Sequence, residues 1–266
     1  MRARYPERIV CLTEETTETL YLLGEQRRIV GISGYTVRPP QARRDKPKVS
    51  AFLSAKTDKI VDLRPDLVLG FSDLQADIAR ELAKAGLNVV IFNQRSVDEI
   101  LSMILTLSAM VGAADKGRRL IEQLENGLES IKLAAQRFPR RARVYFEEWD
   151  EPMISAIRWV SELVGIAGGE DIFAELSVSQ AAAGRTISDA SLVISRKPDV
   201  IIGSWCGKKF RPERVAARAG WGVVPAVRDG ELHEIKSADI LQPGPAALSD
   251  GVRRIHEILT AWAAGR

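Results

Sequence analysis

Arg64-Pro65-Asp66-Leu67-Val68-Leu69-Gly70 and Lys197-Pro198-Asp199-Val200-Ile201-Ile202-Gly203 decide the fold of this chain. Each copy has a basic residue, a Pro-Asp pair, an uninterrupted apolar run and a closing glycine. They stand half the 266-residue chain apart. In each, the proline ends an apolar helical stretch (60–63 and 192–194), because the residue before proline is pushed out of the helical region. The short apolar run that follows reads as a strand buried on both faces. A second echo accompanies the first. The apolar run 9–12 is followed by Glu14-Glu15, and the run 144–146 by Glu147-Glu148. Any two βα units share some of this, but the matched order and spacing favour a duplicated unit.

Outward from these segments, strand-like runs alternate with helix-like stretches, the pattern of parallel sheets covered by helices. Strands are expected at 8–12, 29–32, 48–50, 66–69 and 88–92, and again at 143–147 and 199–203. A helix over 74–85 should stop at Gly86. Ser96-Val97-Asp98-Glu99 reads as a capping box that opens a helix to about residue 111. Asp115 caps the next helix, whose apolar face (Leu120, Leu124, Leu128, Ile131) carries it to residue 136, about 33 Å at 1.5 Å per residue. Phe138-Pro139 ends it. Further helices are expected over 159–167, 188–195 and 246–263. Asp229-Gly230, between 225–227 and 232–235, signals a hairpin. The expected fold is therefore α/β: two Rossmann-like lobes with parallel sheets, over 1–112 and 139–266. A single long helix over 113–138 joins them, with a ligand cleft between the lobes at the carboxyl ends of the strands.

Composition narrows the function classes. Apolar residues make 45% of the chain and charged residues 27%, an ordinary globular balance. No apolar run approaches the roughly 20 residues of a membrane span; the longest, 100–111, is broken by Ser102, Thr106 and Ser108. The 38 basic and 35 acidic residues are interspersed, so no basic stripe marks a nucleic-acid partner. Met1-Arg2-Ala3-Arg4-Tyr5-Pro6 carries no apolar signal segment. The expected location is the cytoplasm, or the periplasm if a leader precedes these residues. Cys11 and Cys206 fall in different halves and are expected as unpaired thiols in a reducing compartment. A monomer is expected.

On these residues the chain resembles the helical-backbone class of substrate-binding proteins for vitamin B12 and ferric siderophores, and most of all its vitamin B12-binding branch. The features that carry the resemblance run the length of the chain. They are residues 8–12 with the Thr-rich turn after them, Val30-Gly31-Ile32-Ser33 with Tyr35 and Pro39-Pro40, the 60–70 segment, the long helix, and Ala167-Gly168-Gly169-Glu170-Asp171-Ile172-Phe173. The resemblance implies binding without catalysis, with a corrinoid as ligand rather than a required cofactor, and delivery to an ABC permease and ATPase.

Candidate site residues follow from both readings. Glu147-Glu148-Trp149-Asp150-Glu151-Pro152-Met153 ends the first strand of the second half. Its acids beside an aromatic can receive amides, hydroxyls or a cation, Trp149 and Asp150 above all; the alternative is that they face solvent. Tyr35, Phe52 and Phe71 each follow a strand of the first half, for the cleft or for core packing. The resemblance places Tyr35 and Phe52 where rings grip the flat face of a corrin, and Met153 near a further aromatic position. It places Arg38 where the B12 binders have another aromatic, a departure from their pattern. Trp205 and Cys206 are expected to face the cleft, Cys206 as an inert small residue with a cobalt-bound thiolate as the alternative. Asp239 and Gln242 fall near ligand-contacting positions. Arg158 and Trp159 begin a helix over the same mouth, or are an exposed charge and a core ring. For transporter docking, Asp58 matches the first-lobe acid, and the second position falls on Ser191 with Asp189 nearby.

Two histidines, His233 and His256, are too few for the zinc sites found in this fold, so no metal site is expected. No nucleophile elbow, phosphate loop or metalloprotease helix appears, and the protein is not expected to be an enzyme. The alternative is that Glu147 and Asp150 serve as general acid and base. The expected function is a binding protein that holds a cobalamin-like ligand between two lobes, of the ABC-transporter type. A siderophore or haem binder of the same fold is one alternative, favoured if Arg38 and Arg158 pair with an anionic ligand. A cytosolic corrinoid chaperone or enzyme is another. The long helix should keep lobe motion on binding small.

Overall fold

A computed structural model describes residues 5–265. The expectation drawn from Met1-Arg2-Ala3-Arg4 lies outside them. The chain divides into two compact units. The first holds the chain up to Gln94 together with Asp98–Gln123; the second holds Arg95–Val97 and the chain from Leu124 onward.

In the first unit the strands are β1 (Ile9–Cys11), β2 (Ile29–Ser33), β3 (Lys48–Ser50), β4 (Leu67–Phe71) and β5 (Val89–Phe92). They form one parallel sheet in the order β3-β2-β1-β4-β5. The helices are α1 (Glu14–Leu22), α2 (Pro40–Asp45), α3 (Thr57–Asp62), α4 (Ala76–Lys84) and α5 (Val97–Met110). They are followed by the 22-residue α6 (Ala114–Ala135), whose first part belongs to this unit. The apolar runs read as strands are buried as expected: Val10, Leu12, Val49 and Val68 share one core cluster with Ile60 of α3 and with Ile78 and Leu82 of α4. The chain leaves β1 for β2 on one side and returns to β4 on the other. The carboxyl ends of β1 and β4 therefore flank a topological switch point, where open α/β sheets bind ligands.

In the second unit the strands are β6 (Ala142–Asp150), β7 (Met153–Ser155), β8 (Gly169–Asp171), β9 (Thr186–Ile187), β10 (Val200–Gly203) and β11 (Leu232–Glu234). The helices are α7 (Arg158–Ile166), α8 (Ser191–Arg196), α9 (Pro212–Ala216), α10 (Pro225–Arg228), α11 (Ser237–Ile240) and α12 (Val252–Ala264). β8, β10 and β11 belong to the parallel part around β6; β7 and β9 pair antiparallel. This sheet is therefore parallel around β6, as expected, with an antiparallel part at β7 and β9 that the sequence did not mark. The long β6 accounts for it: its first residues pair with β8, and its last fold back against β7.

The duplication extends to side chains. The parallel series β2-β1-β4-β5 has its counterpart in β8-β6-β10-β11. At the amino end of β4, Asp66 accepts the Glu7 and Arg8 amides at 2.8 and 3.0 Å. At the amino end of β10, Asp199 accepts the Arg143 amide at 2.9 Å. Arg8 Nε donates to the Leu63 and Arg64 carbonyls past α3, and Arg143 Nε donates to the Arg196 carbonyl at the end of α8. Arg64 and Lys197, the basic residues of the two heptapeptides, both take a left-handed conformation (φ 47° and 46°). The closing glycines have packing reasons as well. A Cβ at Gly70 would meet Gln75 and Ile91, and one at Gly203 would lie 1.9 Å from the Phe210 ring.

Two expectations need correction. Asp229-Gly230 does not close a hairpin. Pro225 sits at the start of the short helix α10, where its missing amide costs nothing, and Gly230 (φ 77°) turns the chain into β11, which lies parallel to β10. The final helix is not regular over its whole expected span: residues Ala247–Gly251 form one wider turn before α12. A Cβ at Gly251 would come within 2.5 Å of the Asp239 carbonyl oxygen, so this close approach requires glycine.

Candidate ligand-binding site

The carboxyl edge of the first unit's sheet carries a row of exposed apolar side chains. Tyr35 and Val37 follow β2, Leu53 follows β3 and Leu74 follows β4; they are 66, 43, 68 and 60% exposed. Apolar groups gathered on one edge mark a contact surface more clearly than scattered ones do. Phe52 is half-buried beside Leu53, and its carbonyl accepts the Gln75 side-chain amide at 2.9 Å. Phe71 is different. It is the last residue of β4 and is buried, so the core reading of this ring holds.

Beneath this edge lies α1, whose first turn is acidic, the favoured sign at a helix N-terminus. Glu14, Glu15, Thr16, Thr17, Glu18 and Thr19 are all buried, a set noted in the sequence for its echo and its threonines but not as site residues. Glu14 Oε2 accepts the Val37 amide at 3.1 Å, and Glu15 Oε1 accepts the Thr13 hydroxyl at 2.5 Å. Glu18 pairs with Arg38 at 3.0 Å, so that arginine already faces a carboxylate within its own unit. Burial pushes the Glu14 carboxyl up to about 8; the Val37 hydrogen bond and Arg38 oppose the rise, and Glu18 and Glu15 add to it. Burial likewise raises Glu15 to about 7, against the Thr13 hydrogen bond and with Glu18. Cys11, at the end of β1, is fully buried, and burial takes its thiol to about 12, so it is an inert core residue.

In the second unit the acids Glu147, Glu148 and Asp150 in the last part of β6 are each met by a base. Glu147, fully buried, receives both terminal nitrogens of Arg218 at 2.6 and 3.0 Å, the Tyr145 hydroxyl at 2.9 Å and the Trp205 indole at 3.1 Å. Glu148 pairs with the buried Arg185 at 2.5 and 3.2 Å. Asp150 pairs with Lys208, with Arg214 farther off at 3.9 Å. Burial pushes Asp150 up, but the Lys208 hydrogen bond and charge, with Arg214, outweigh it and hold the carboxyl below its usual range. The Lys208 ammonium also lies over the Trp149 ring, 4.0 Å from its centroid, and 5.1 Å from that of Trp205.

Of the residues singled out in this half, the structure therefore gathers Trp149, Asp150 and Trp205 around Lys208, a residue the sequence reading passed over. Trp205, expected on an open face, is inside the unit: it is buried and edge-on to Phe210 at 4.9 Å. Cys206 beside it is exposed. Met153 is half-buried against the same core cluster. Asp239 lies in α11 and Gln242 just after it, both half-buried. Arg158 is paired with Glu162 at 2.9 Å, and the Trp159 indole donates to the Ile240 carbonyl in the core, so this pair is an exposed charge and a core ring. His233 pairs with Glu231, and His256 stacks on Phe138. Among the described residues, no three His, Cys, Asp or Glu side chains converge as a metal site, and no helix is long and apolar enough to cross a membrane.

Comparison with known proteins places this geometry. Residues 9–238 match the family described as periplasmic binding protein. A protein named vitamin B12-binding protein from Vibrio parahaemolyticus is 25% identical over 249 residues, covering 91% of this chain and 86% of its own length. An uncharacterized ABC transporter substrate-binding lipoprotein of Bacillus subtilis, YvrC, is 23% identical over 261 residues, 95% of this chain and 79% of the relative. Among solved structures, the periplasmic heme-binding protein RhuT from Roseiflexus has the same fold, with a TM-score of 0.79 at 22% identity, covering 95% of this chain and 99% of the other.

Proposed function

The chain belongs to the periplasmic binding protein family, and on that premise we propose that it is the substrate-binding component of an ABC-type system, with a corrinoid as its ligand. The observation that carries the reading is the exposed apolar row Tyr35, Val37, Leu53 and Leu74 on the carboxyl edge of a doubly wound sheet. Such a row gives a flat macrocycle its apolar contact area, with Tyr35 as the ring that stacks and Phe52 at its side. The B12-binding relative supports the corrinoid over other macrocycles. We propose Trp149, Met153, Asp239 and Gln242 of the second unit as further ligand contacts. Asp150 enters as the partner that holds Lys208, not as an open acceptor. The protein acts by capture and release and performs no chemistry on its ligand. Its place of action is the periplasmic or lipid-anchored side where its relatives' names put them.

Docking to the permease uses exposed acids at the starts of the matching helices α3 and α8. Asp58 lies in the first turn of α3 and is exposed. Asp189 precedes α8, and its carboxylate accepts the Ser191 amide at 2.8 Å and the Ser191 hydroxyl at 2.6 Å. Those two bonds hold its carboxyl below the usual range, so the charge is retained. Ser191 is the counterpart of Asp58, and the Asp189 carboxylate thus rests against the place where an acid is expected. Replacing both acids by lysine should abolish stimulation of the transporter ATPase and leave ligand affinity unchanged.

Calorimetric titration with cyanocobalamin and with dicyanocobinamide tests the ligand. One saturable site per chain supports the proposal; no heat with either ligand contradicts it.

A further inference from the structure

The three acid–base pairs in the last part of β6 are not alike. Arg218 and Arg185 each give both terminal nitrogens to their carboxylates, Glu147 and Glu148. Lys208 gives one N–H to Asp150, and its other two donors meet no acceptor among the described residues. Exposure follows the same order: the side chains of Arg185, Arg218 and Lys208 are 2, 19 and 35% exposed. Asp150 is buried while its lysine is half-exposed, so a group arriving from solvent meets the ammonium and not the carboxylate. The Trp149 and Trp205 rings, with centroids 4.0 and 5.1 Å from the ammonium, attract it and with Asp150 fix its place. Trp205 is itself anchored, because its indole donates to the buried Glu147. Arg214 stands 3.9 Å from Asp150 and 3.8 Å from the exposed Glu151, two loose pairs that leave a second cation at the rim.

We propose that Lys208 is a specificity-determining residue: its two open N–H donors take an anionic oxygen group, a phosphate or a carboxylate, that the ligand carries beside a flat apolar part. This rests on the reading of the chain as a small-molecule binder, and not on the corrinoid assignment. A lysine already held by two rings and a carboxylate has little side-chain freedom left to lose when an anion arrives. Trp149 is half-buried, so part of its ring stays open beside the ammonium for apolar contact. The Lys208 and Arg214 charges keep Asp150 ionised, and its burial keeps that charge from meeting the ligand's own. A neutral carbonyl can accept from the same N–H groups with about half the strength, so the site ranks anionic groups first without excluding neutral ones. On a corrinoid the matching group is the phosphate of the nucleotide loop; on a porphyrin it is a propionate.

The test compares ligands that share a ring and differ in one kind of group: dicyanocobinamide against dicyanocobinamide phosphate, and haem dimethyl ester against haem. Calorimetry at neutral pH on the full chain should give cobinamide phosphate a preference of about tenfold over cobinamide, the worth of one charge-assisted hydrogen bond. Lys208→Met should bring the two to within about twofold, and Lys208→Arg, which keeps the charge, should retain most of the preference. The double variant Asp150→Asn, Lys208→Met removes both charges and strands neither. It should erase the preference as well, which keeps the test open if Lys208→Met fails to fold. If wild-type protein binds both corrinoids equally, or if the preference survives the loss of the Lys208 charge, the corrinoid reading stands and the lysine site is overturned. If neither corrinoid binds but haem is preferred to its ester and Lys208→Met removes that preference, the corrinoid reading falls and the lysine site stands, with a carboxylate as its group. Without corrinoid binding, equal affinity for the two haem ligands, a haem preference that survives Lys208→Met, or no binding of any of the four overturns both.

Discussion

The amino ends of the strands and their carboxyl ends differ in how far the two units agree. At the amino ends, Asp66 accepts the amides just before β1 and Asp199 that of Arg143 in β6, and Arg8 and Arg143 cap the carbonyls at the end of the preceding helix. At the carboxyl ends the units diverge. After β1 the chain turns at once into α1 and buries Glu14 and Glu15 with oxygens left over. After the matching residues of β6 the strand continues, and Glu147, Glu148 and Asp150 are each locked to a base. Paired acids are architecture; Glu14 and Glu15 instead keep lone pairs unused inside the first unit.

The largest effect should come from breaking a lock. Glu147→Ala strands the Arg218 guanidinium and removes the acceptor for Tyr145 and Trp205. It should destabilise the protein by about 3–4 kcal/mol in urea unfolding. Glu14→Gln, in contrast, should be neutral or stabilising. If the two variants unfold alike, the distinction between locked and spare acids is lost.

The next effect is on pH. The native Glu14 and Glu15 carboxyls sit near 8 and 7 against an ordinary 4.5, so between pH 4.5 and 8 the native state holds protons that the unfolded chain releases. Stability present below about pH 4.5 is therefore lost as pH rises toward 8. At about 1.4 kcal/mol per pH unit for one proton, and allowing for relaxation around the pair, wild-type protein should be at least about 2 kcal/mol less stable at pH 8 than at pH 5. The Glu14→Gln, Glu15→Gln double variant should flatten this slope in thermal melts at a series of pH values.

Smaller effects probe the shared device. Asp199→Ala also loses the two-bond pair with Arg140 and should cost about 2 kcal/mol; Asp66→Ala should cost about 1.5 kcal/mol. A much larger gap would mean that the two devices are not equivalent. The smallest expected change is Tyr35→Ala, which should leave stability unaltered because the ring is exposed and weaken cyanocobalamin binding about fivefold in calorimetry.

Legibility in the sequence followed locality. The five strands of the first unit, the long helix α6 and the duplicated Pro-Asp heptapeptides were readable because proline, glycine and unbroken apolar runs act within a few residues. The Asp229-Gly230 turn was read correctly as a turn but assigned to the wrong partner, since Pro225 could open a helix as well as end a strand. Tyr35 was found by its place after a strand. What stayed hidden depends on contacts distant in sequence. The Glu147–Arg218 pair spans 71 residues and the Asp150–Lys208 pair spans 58, and neither leaves a periodic trace. The stretch Glu14-Glu15-Thr16-Thr17 was noted only as an echo of Glu147-Glu148 and as a Thr-rich turn, although every one of these residues is buried. Its only local signal is acidity next to a strand end, the same signal that was noticed in 147–150, where the bases had already answered it.

Hydrogen–deuterium exchange with and without saturating cyanocobalamin tests most directly whether the carboxyl edge of the first unit is a ligand face. The account predicts slowed exchange in residues 34–37, 51–54 and 72–75, with residues 5–8 and 64–66 at the opposite ends of the strands unchanged. Protection confined to those opposite ends, or no protection anywhere, would contradict it.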